Sequence, residues 1–496
     1  MQDPYIIYKD HLQKIADIKY ASAVLQWDQE TYLPPAGNEI RGRQLATLNE
    51  VAHSMFSSES TGKIIRDALS SGDLSPEQRR NAQLSLEDYE RAVKLSPAFV
   101  RKMSEVVNRS FHSWIEAREK NDFKIFEAPL QNVIEVKREE AEQLGYEKHP
   151  YDALMNDYDK GLTSEKVDRL FTDLRPQLKT LLDNISQKPQ VDDTFLRGNF
   201  EKNKQWDLGV ELLKKIHFDF GSGRQDISEH PFSTSFNAGD VRLTTRVDEN
   251  DFANMTWSCL HEGGHGLYEQ GLPKDQYGLP LGEYCSLSIH ESQSRLWENC
   301  VGRSFPFWTA NLPIVKKYFP TQFETIDTEK FYKAINKVEP SLIRTEADEL
   351  TYHFHVMIRY ELEKKLIGRE LEAADIPAYW NEQYQKYLGI KVPDDKRGCL
   401  QDVHWSHGSF GYFATYSIGS LYAAQFYNTI RKSHPHLDEN LHEENTTAIW
   451  AWLKQHIYAF GRYYLSEDLC TLATGEPLNA SHFIAYAKEK YSDIYL

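Results

Sequence analysis

Phe252-Ala253-Asn254-Met255-Thr256-Trp257-Ser258-Cys259-Leu260-His261-Glu262-Gly263-Gly264-His265 is the stretch on which the reading of this chain turns. Phe252, Met255, Trp257 and Leu260 make it apolar, as a buried helix should be. On a helix, positions i and i+4 share a face, so both imidazoles can reach one metal ion. Glu262 stands beside the first histidine and can point at a water activated by that ion. Two histidines, a third protein ligand and a carboxylate to take a proton suit zinc-assisted hydrolysis. The alternative is a polar helix face with two unconnected histidines. Gly263, Gly264 and Gly266 each cost about 0.8–1.0 kcal/mol of helix propensity against alanine. Close approach of another backbone, or of a substrate chain, is the expectation that explains them.

Outward from this stretch the chain has mainly helical period. Residues 76–119 place Leu84, Leu86, Tyr89 and Val93 at three- and four-residue spacing, with charges between. The same pattern recurs around 126–145, 165–186, 204–218, 322–338, 346–367, 372–388, 445–465 and 479–495. Ser75 before Pro76-Glu77, and Thr163 before Ser164-Glu165, read as N-caps with a first-turn acid. The one clear strand signal is Val241-Arg242-Leu243-Thr244-Thr245-Arg246-Val247, so 228–247 should supply a small sheet. No fixed-period repeat and no Gly/Ser- or Pro-rich linker divides the chain. Length as a prior allows about three domains. The pattern instead predicts a mainly α single domain over residues 1–496, as one body or two lobes flanking a groove.

Composition excludes several functions. The 57 basic and 74 acidic side chains leave a net charge of −17, which repels phosphate backbones and argues against a nucleic-acid partner. No run of about 18 apolar residues occurs, so no membrane span is expected. Met1-Gln2-Asp3-Pro4-Tyr5 has no basic region followed by an apolar one, so no secretory signal is expected. Five cysteines (259, 285, 300, 399 and 470) are too few and odd in number for a disulfide framework, and point to the reducing cytoplasm. Cys259 and Cys285 flank the histidine motif, but without a Cys-x-x-Cys pair they read as core packing.

A third ligand is needed. Glu269, Glu283, Glu291 and Glu298 are all within reach. Glu291 lies in Ser286-Leu287-Ser288-Ile289-His290-Glu291-Ser292-Gln293-Ser294-Arg295, a second expected helix. On spacing alone several of these acids serve equally well.

Seven blocks recur in an order that resembles the carboxypeptidase Taq family of zinc metallocarboxypeptidases. They are Trp27-Asp28-Gln29-Glu30-Thr31, His230-Pro231-Phe232, Asp240-Val241-Arg242-Leu243-Thr244, His261-Glu262-Gly263-Gly264-His265, His290-Glu291-Ser292-Gln293, Ile343-Arg344-Thr345-Glu346-Ala347-Asp348 and Gly398-Cys399-Leu400-Gln401-Asp402-Val403-His404-Trp405. The resemblance covers essentially the whole chain. It implies that His261, His265 and Glu291 hold one Zn2+ per subunit, with Co2+ or Mn2+ able to substitute, and that Glu262 is the general base. It implies a helical body similar to neurolysin and angiotensin-converting enzyme, cut by a deep groove with a small β-sheet at its wall. It also implies release of single C-terminal residues from peptides with broad preference, and a homodimer.

A carboxypeptidase needs a cation for the substrate's terminal carboxylate, and arginine's fork suits it. Arg242 and Arg344 lie in family blocks and are the candidates, ahead of Arg246 and Arg397. Each could equally be a structural ion pair, with Asp240 and Asp348 as the expected partners. His404 and Tyr416 are candidates for donors to the developing oxyanion, with Tyr412 open as an alternative to Tyr416. Aromatic core is the plainer role for these rings. His290, beside Glu291, has an expected outer role around the metal. His353 and His355 read as hydrogen-bonded core. Two other functions stay open: an oligopeptidase cutting internal bonds with the same chemistry, and an inactive metal-binding scaffold.

Overall fold

Helices start where capping chemistry is strong. Ser75 accepts from Gln78 N–H while the Gln78 side chain accepts from the Ser75 N–H, and this capping box opens Pro76–Ala92. Thr163 caps Ser164–Ser186 by accepting from the Lys166 N–H. The period read across 76–119 is two helices, interrupted after Ala92 and restarted at Pro97, where Ser96 caps and proline occupies the first turn. The computed structural model describes residues 3–495, and they are mainly helical with one three-stranded sheet. No described helix is long and apolar enough to cross a membrane. All five cysteines are buried, and none forms a disulfide.

The chain divides into two compact units, each assembled from three separate segments. The first comprises Met1–Val93, Asp192–Ile335 and Phe426–Pro477. Its N-terminal helices, Pro4–Thr31, Asn38–Phe56, Glu59–Leu69 and Pro76–Ala92, close around Tyr5, Tyr8, Leu12, Ile65 and Tyr89. The first three were not marked by a clean helical period in the sequence.

The sheet lies in this unit. Strands β1 (Gly223–Ile227), β2 (Ser233–Asn237) and β3 (Asp240–Thr245) run in the order β1-β3-β2. β3 is the strand expected from alternation, and it ends at Thr245, two residues earlier than read. β2 pairs antiparallel to it, and β1 pairs parallel, with Arg224 opposite Arg242 and Gln225 opposite Leu243. β1 lies ahead of the expected 228–247 segment. Its polar sequence Gly-Arg-Gln-Asp-Ile carries no strand signal, so pairing with β3 decides its conformation.

The motif helix, Phe252–Gly271, packs beside β3 and opens with Asp251 capping Ala253 N–H. Phe252 anchors its first turn among Phe200, Phe319, Phe323 and Phe331, with ring centroids 4.9–6.1 Å apart. The expected second helix is present as Leu287–Arg295, capped by Ser286, and continues into a wider π-helical turn, Leu296–Val301.

The second unit comprises Lys94–Val191, Asn336–Gln425 and Leu478–Leu496. Helices Pro97–Lys120, Lys124–Leu144, Pro150–Met155, Ser164–Ser186, Tyr352–Ile367, Ile376–Leu388 and Ser481–Tyr495 form most of it. Tyr352–Ile367 is its central helix and is buried on nearly every face, which is why it carries Arg359 and Glu363 wholly out of water.

Candidate metal centre

The three glycines around the motif are explained by packing. A Cβ at Gly264 would sit 2.5 Å from Gln293 O and 2.7 Å from Ser294 Cα, so the motif helix and the second helix meet backbone to backbone there. At Gly263 it would strike Leu213 and Ile216, and at Gly266 Phe218 and Leu243. The expected backbone approach therefore holds at Gly264, while protein side chains fill the other two positions.

This approach brings three ligand-type side chains together. The donor atoms of His261, His265 and Glu291 all lie within 4.8 Å of one another. Glu291 Oε2 is 3.7 Å from His261 Nε2 and 3.5 Å from His265 Nε2. The opposite ring nitrogens are occupied. His261 Nδ1–H donates to Glu298 Oε2 at 2.9 Å, and His265 Nδ1–H donates to the His290 carbonyl at 3.1 Å. Those bonds fix the tautomer and turn both Nε2 lone pairs toward Glu291, the arrangement that ligating histidines need. The donor set therefore fits a divalent ion of the zinc type, with two nitrogens and one carboxylate oxygen.

The four acids left open by spacing have four distinct partners. Glu291 converges with the histidines. Glu298 orients His261. Glu269 accepts from His290 Nε2 at 2.9 Å and from Ser235 Oγ at 2.6 Å. Glu283 accepts from Arg462. His290 has the outer position expected of it, its ring stacked 4.4 Å from that of His265.

Electrostatics sharpen the set. Burial works against the charge on Glu291, but Arg295, whose Nε donates to Oε1 at 2.6 Å, and the histidines hold its carboxyl well below the usual range. Burial likewise opposes charge on Glu298, yet His261, Arg295 and Arg303 bring it down to about 2. Both are carboxylates at neutral pH. Burial lowers His265 to about 3, so its imidazole is neutral and its lone pair available. Glu262 is buried, and loss of water pushes its carboxyl up to about 7. A base works best with a pKa near the working pH, and a nearby cation would lower this value.

The remaining candidates fall into separate places. Arg242, in the first unit, gives Nε and Nη2 to Asp240 at 2.9 Å each, with its guanidinium 4.2 Å from the Trp27 ring centroid. Asp240 is thus the expected partner. Arg344, in the second unit, pairs with Asp402 through Nε at 3.0 Å and Nη2 at 2.9 Å, not with Asp348. Asp348 is saturated by the N–H groups of Glu339, Leu350 and Thr351 and by the Thr351 hydroxyl, where it opens the Tyr352–Ile367 helix. Asp402 also accepts from Arg359 Nε at 2.6 Å. Arg397 is an exposed pair with Asp394.

His404 and Tyr416 do meet, Nε2 to hydroxyl at 3.4 Å, and Arg344 lies 5.0 Å from the Tyr416 ring centroid. Tyr412 is equally close, its ring centroid 5.4 Å from that of His404 and 5.0 Å from that of Tyr416. Burial lowers His404 to about 3, so the ring is neutral and can donate one N–H. His353 and His355 are buried and bonded to Ser417 and to the Tyr384 hydroxyl, as core residues. Cys259 is buried too, which pushes its thiol up to about 12, outside the ligand set.

Sequence reasoning missed the orienting role of Glu298 and the charge on Glu291 from Arg295. Spacing could have found both, since Glu291, Arg295 and Glu298 share one helix face at i, i+4 and i+7. Asp402 lies 58 residues from Arg344 and offers no local signal.

The carboxypeptidase Taq (M32) metallopeptidase family profile matches residues 7–491. Carboxypeptidase 1 of Bacillus subtilis is 37% identical over 490 residues, covering 98% of either chain. A solved chain described as CHT is 52% identical with a TM-score of 0.97, covering 98% of this chain and 99% of that one. The crystal structure of an M32 carboxypeptidase from Deinococcus radiodurans R1 is 38% identical, with a TM-score of 0.97 and 99% of both chains covered. With the His-His-Glu convergence and a match along nearly its whole length, this chain belongs to the carboxypeptidase Taq (M32) family of metallopeptidases.

Proposed function

We propose that the protein is a zinc-dependent carboxypeptidase that releases single C-terminal residues from peptides with broad preference. The observation that carries this is the convergence of His261 Nε2, His265 Nε2 and Glu291 on one point, with both Nδ1 atoms already bonded. A divalent ion held by His261, His265 and Glu291 would supply Lewis-acid chemistry and lower the pKa of a water at this site. Glu262 takes the proton of the attacking water as its oxygen adds to the scissile carbonyl, then passes that proton to the leaving amine. His404 and Tyr416 donate to the oxyanion that forms. The terminal carboxylate is taken by arginine, with Arg242 and Arg344 as the candidates. Asp240 takes Nε and Nη2 of Arg242 and does not bond Nη1.

The whole chain serves this one activity, since a single family profile spans both units. The family resemblance favours a homodimer, and five cysteines outside any disulfide favour a cytoplasmic location.

An N-blocked peptide and its C-terminally amidated twin test the proposal. Release of one residue from the acid and little from the amide, abolished by a chelator and restored by Zn2+, is the expected result. Equal cutting of both peptides would instead establish an internal-cleaving oligopeptidase. Absence of metal-dependent cutting would leave the scaffold.

A further inference from the structure

We propose that Glu363 is a positioning residue for the oxyanion donors, gripping the loop that begins beside His404 and leads into the helix carrying Tyr416. It deepens the function proposed above and rests on the donor roles given there to His404 and Tyr416.

Glu363 sits in the Tyr352–Ile367 helix with no exposed surface. Its Oε1 accepts from Trp405 Nε1–H at 2.7 Å. Its Oε2 accepts from the Gly411 N–H at 2.9 Å and from the Tyr151 hydroxyl at 2.6 Å. Trp405 directly follows His404, and Gly411 lies three residues before the Ala414–Ser433 helix that carries Tyr416. One carboxyl group therefore pins the loop beside His404 and again just ahead of the helix that places Tyr416. Tyr412 is steadied from the other side by Tyr158, the rings meeting edge to face with centroids 5.2 Å apart.

The chemistry at this position requires a carboxyl group, because both of its oxygens accept. Trp405 Nε1–H and Gly411 N–H can only donate, and they address opposite oxygens. An amide turned either way would set its NH2 against one of them, leaving a buried donor facing a donor. Gly411 is fixed too. It has φ +98°, and a Cβ there would lie 2.8 Å from the backbone of Leu154 and Met155, in the helix that supplies Tyr151. Among the described residues no ion pair joins Glu363, and Lys137, which acts on it through space, is bonded to Glu140. A fully buried acid with three neutral donors is costly to keep in a core whose only need is packing. Its arrangement is explained by the precision of the loop it holds, because oxyanion donors lose their effect when displaced by a fraction of an ångström.

Steady-state kinetics of the full-length zinc-loaded enzyme on an N-blocked peptide acid test this, with Glu363→Gln, Tyr416→Phe, His404→Phe and the Glu363→Gln/Tyr416→Phe double variant. Metal content and melting temperature are followed in parallel. Glu363→Gln is expected to lower kcat about 10–100-fold with KM within about threefold and zinc retained. In the Tyr416→Phe background the same change should cost less than about threefold, because the donor it positions is already gone. Full multiplicative losses in the double variant, or unchanged kcat in Glu363→Gln, overturn the positioning role while a low kcat in Tyr416→Phe keeps the donor assignment. Unchanged kcat in both Tyr416→Phe and His404→Phe overturns the donor assignment itself, and the positioning role with it. If Glu363→Gln does not fold, Trp405→Phe frees one end of the loop with the carboxylate intact and must show the same coupling to Tyr416→Phe.

Discussion

His261 and Glu298 are joined by a 2.9 Å hydrogen bond from Nδ1–H to Oε2, and Glu298 is in turn held by Arg295 and Arg303. The bond turns His261 Nε2 toward Glu291. Glu298→Gln removes the charge that supports the imidazole and should weaken metal binding or activity by about 10–100-fold. Competition of the variant against a chelator of known affinity measures this directly, and wild-type metal retention would refute the orienting role.

Glu262 touches none of the proposed ligand-orienting bonds. Glu262→Gln is therefore expected to keep its metal and lose kcat by about 10²–10⁴-fold, the usual share of a general base. A metal-replete variant with wild-type turnover would remove Glu262 from the mechanism.

Gly264 differs from glycines that face open space. Gly264→Ala forces a Cβ against Gln293 O and Ser294 Cα, so a backbone must move. Overpacking of this kind costs about 1–3 kcal/mol. Gly42, inside the Asn38–Phe56 helix, has nothing within 4 Å of the added carbon, and Gly42→Ala should stabilise by up to about 1 kcal/mol. Urea unfolding of the two variants gives opposite signs if the packing is as described.

Asp402 is the shared counter-charge of Arg344 and Arg359, all three buried. Asp402→Asn strands two guanidinium groups and should destabilise by about 3–5 kcal/mol. A small change in the denaturation midpoint would show that water reaches this network.

Glu363 gives a pH signature with a definite sign. Burial raises its carboxyl to about 7, well above its value in the unfolded chain. The folded protein then binds the extra proton between about pH 4.5 and 7, so this stabilising contribution is complete at the acid end and is lost as pH rises through 7. The span corresponds to about 3 kcal/mol at 1.36 kcal/mol per unit. Unfolding free energies of wild type minus Glu363→Gln should fall by this order across the window. A flat difference would mean that the carboxyl titrates as an exposed one.

Much of this was legible in the residues. The His261–His265 spacing on an apolar helix and the Ser75 and Thr163 caps are local patterns, and local patterns survive folding. Choosing Glu291 over Glu269, Glu283 and Glu298 was not possible from spacing, because all four lie on or near the same two helices. Their partners were settled by side chains distant in sequence, such as Ser235 and Arg462. The same holds for Arg344, where the nearby Asp348 was spent on helix capping and a residue of the Gly398-to-Trp405 block took the pairing. β1 was invisible because its conformation comes from its neighbour in the sheet.

The interleaving of the two units also governs how the protein is made. The first unit is complete only when Phe426–Pro477 has emerged, about 175 residues after the π-helical turn that ends the metal segment. At ribosomal speed that is a wait of about 9–35 s with the ligand helices synthesised and their unit unfinished. Neither unit can be cut out as one continuous fragment, and a chain that stops anywhere before residue 426 leaves both without their closing segments. Newborn chains should therefore depend on chaperone protection until late in translation, and a nonsense mutation even in the last quarter of the gene should yield an aggregation-prone product with no activity.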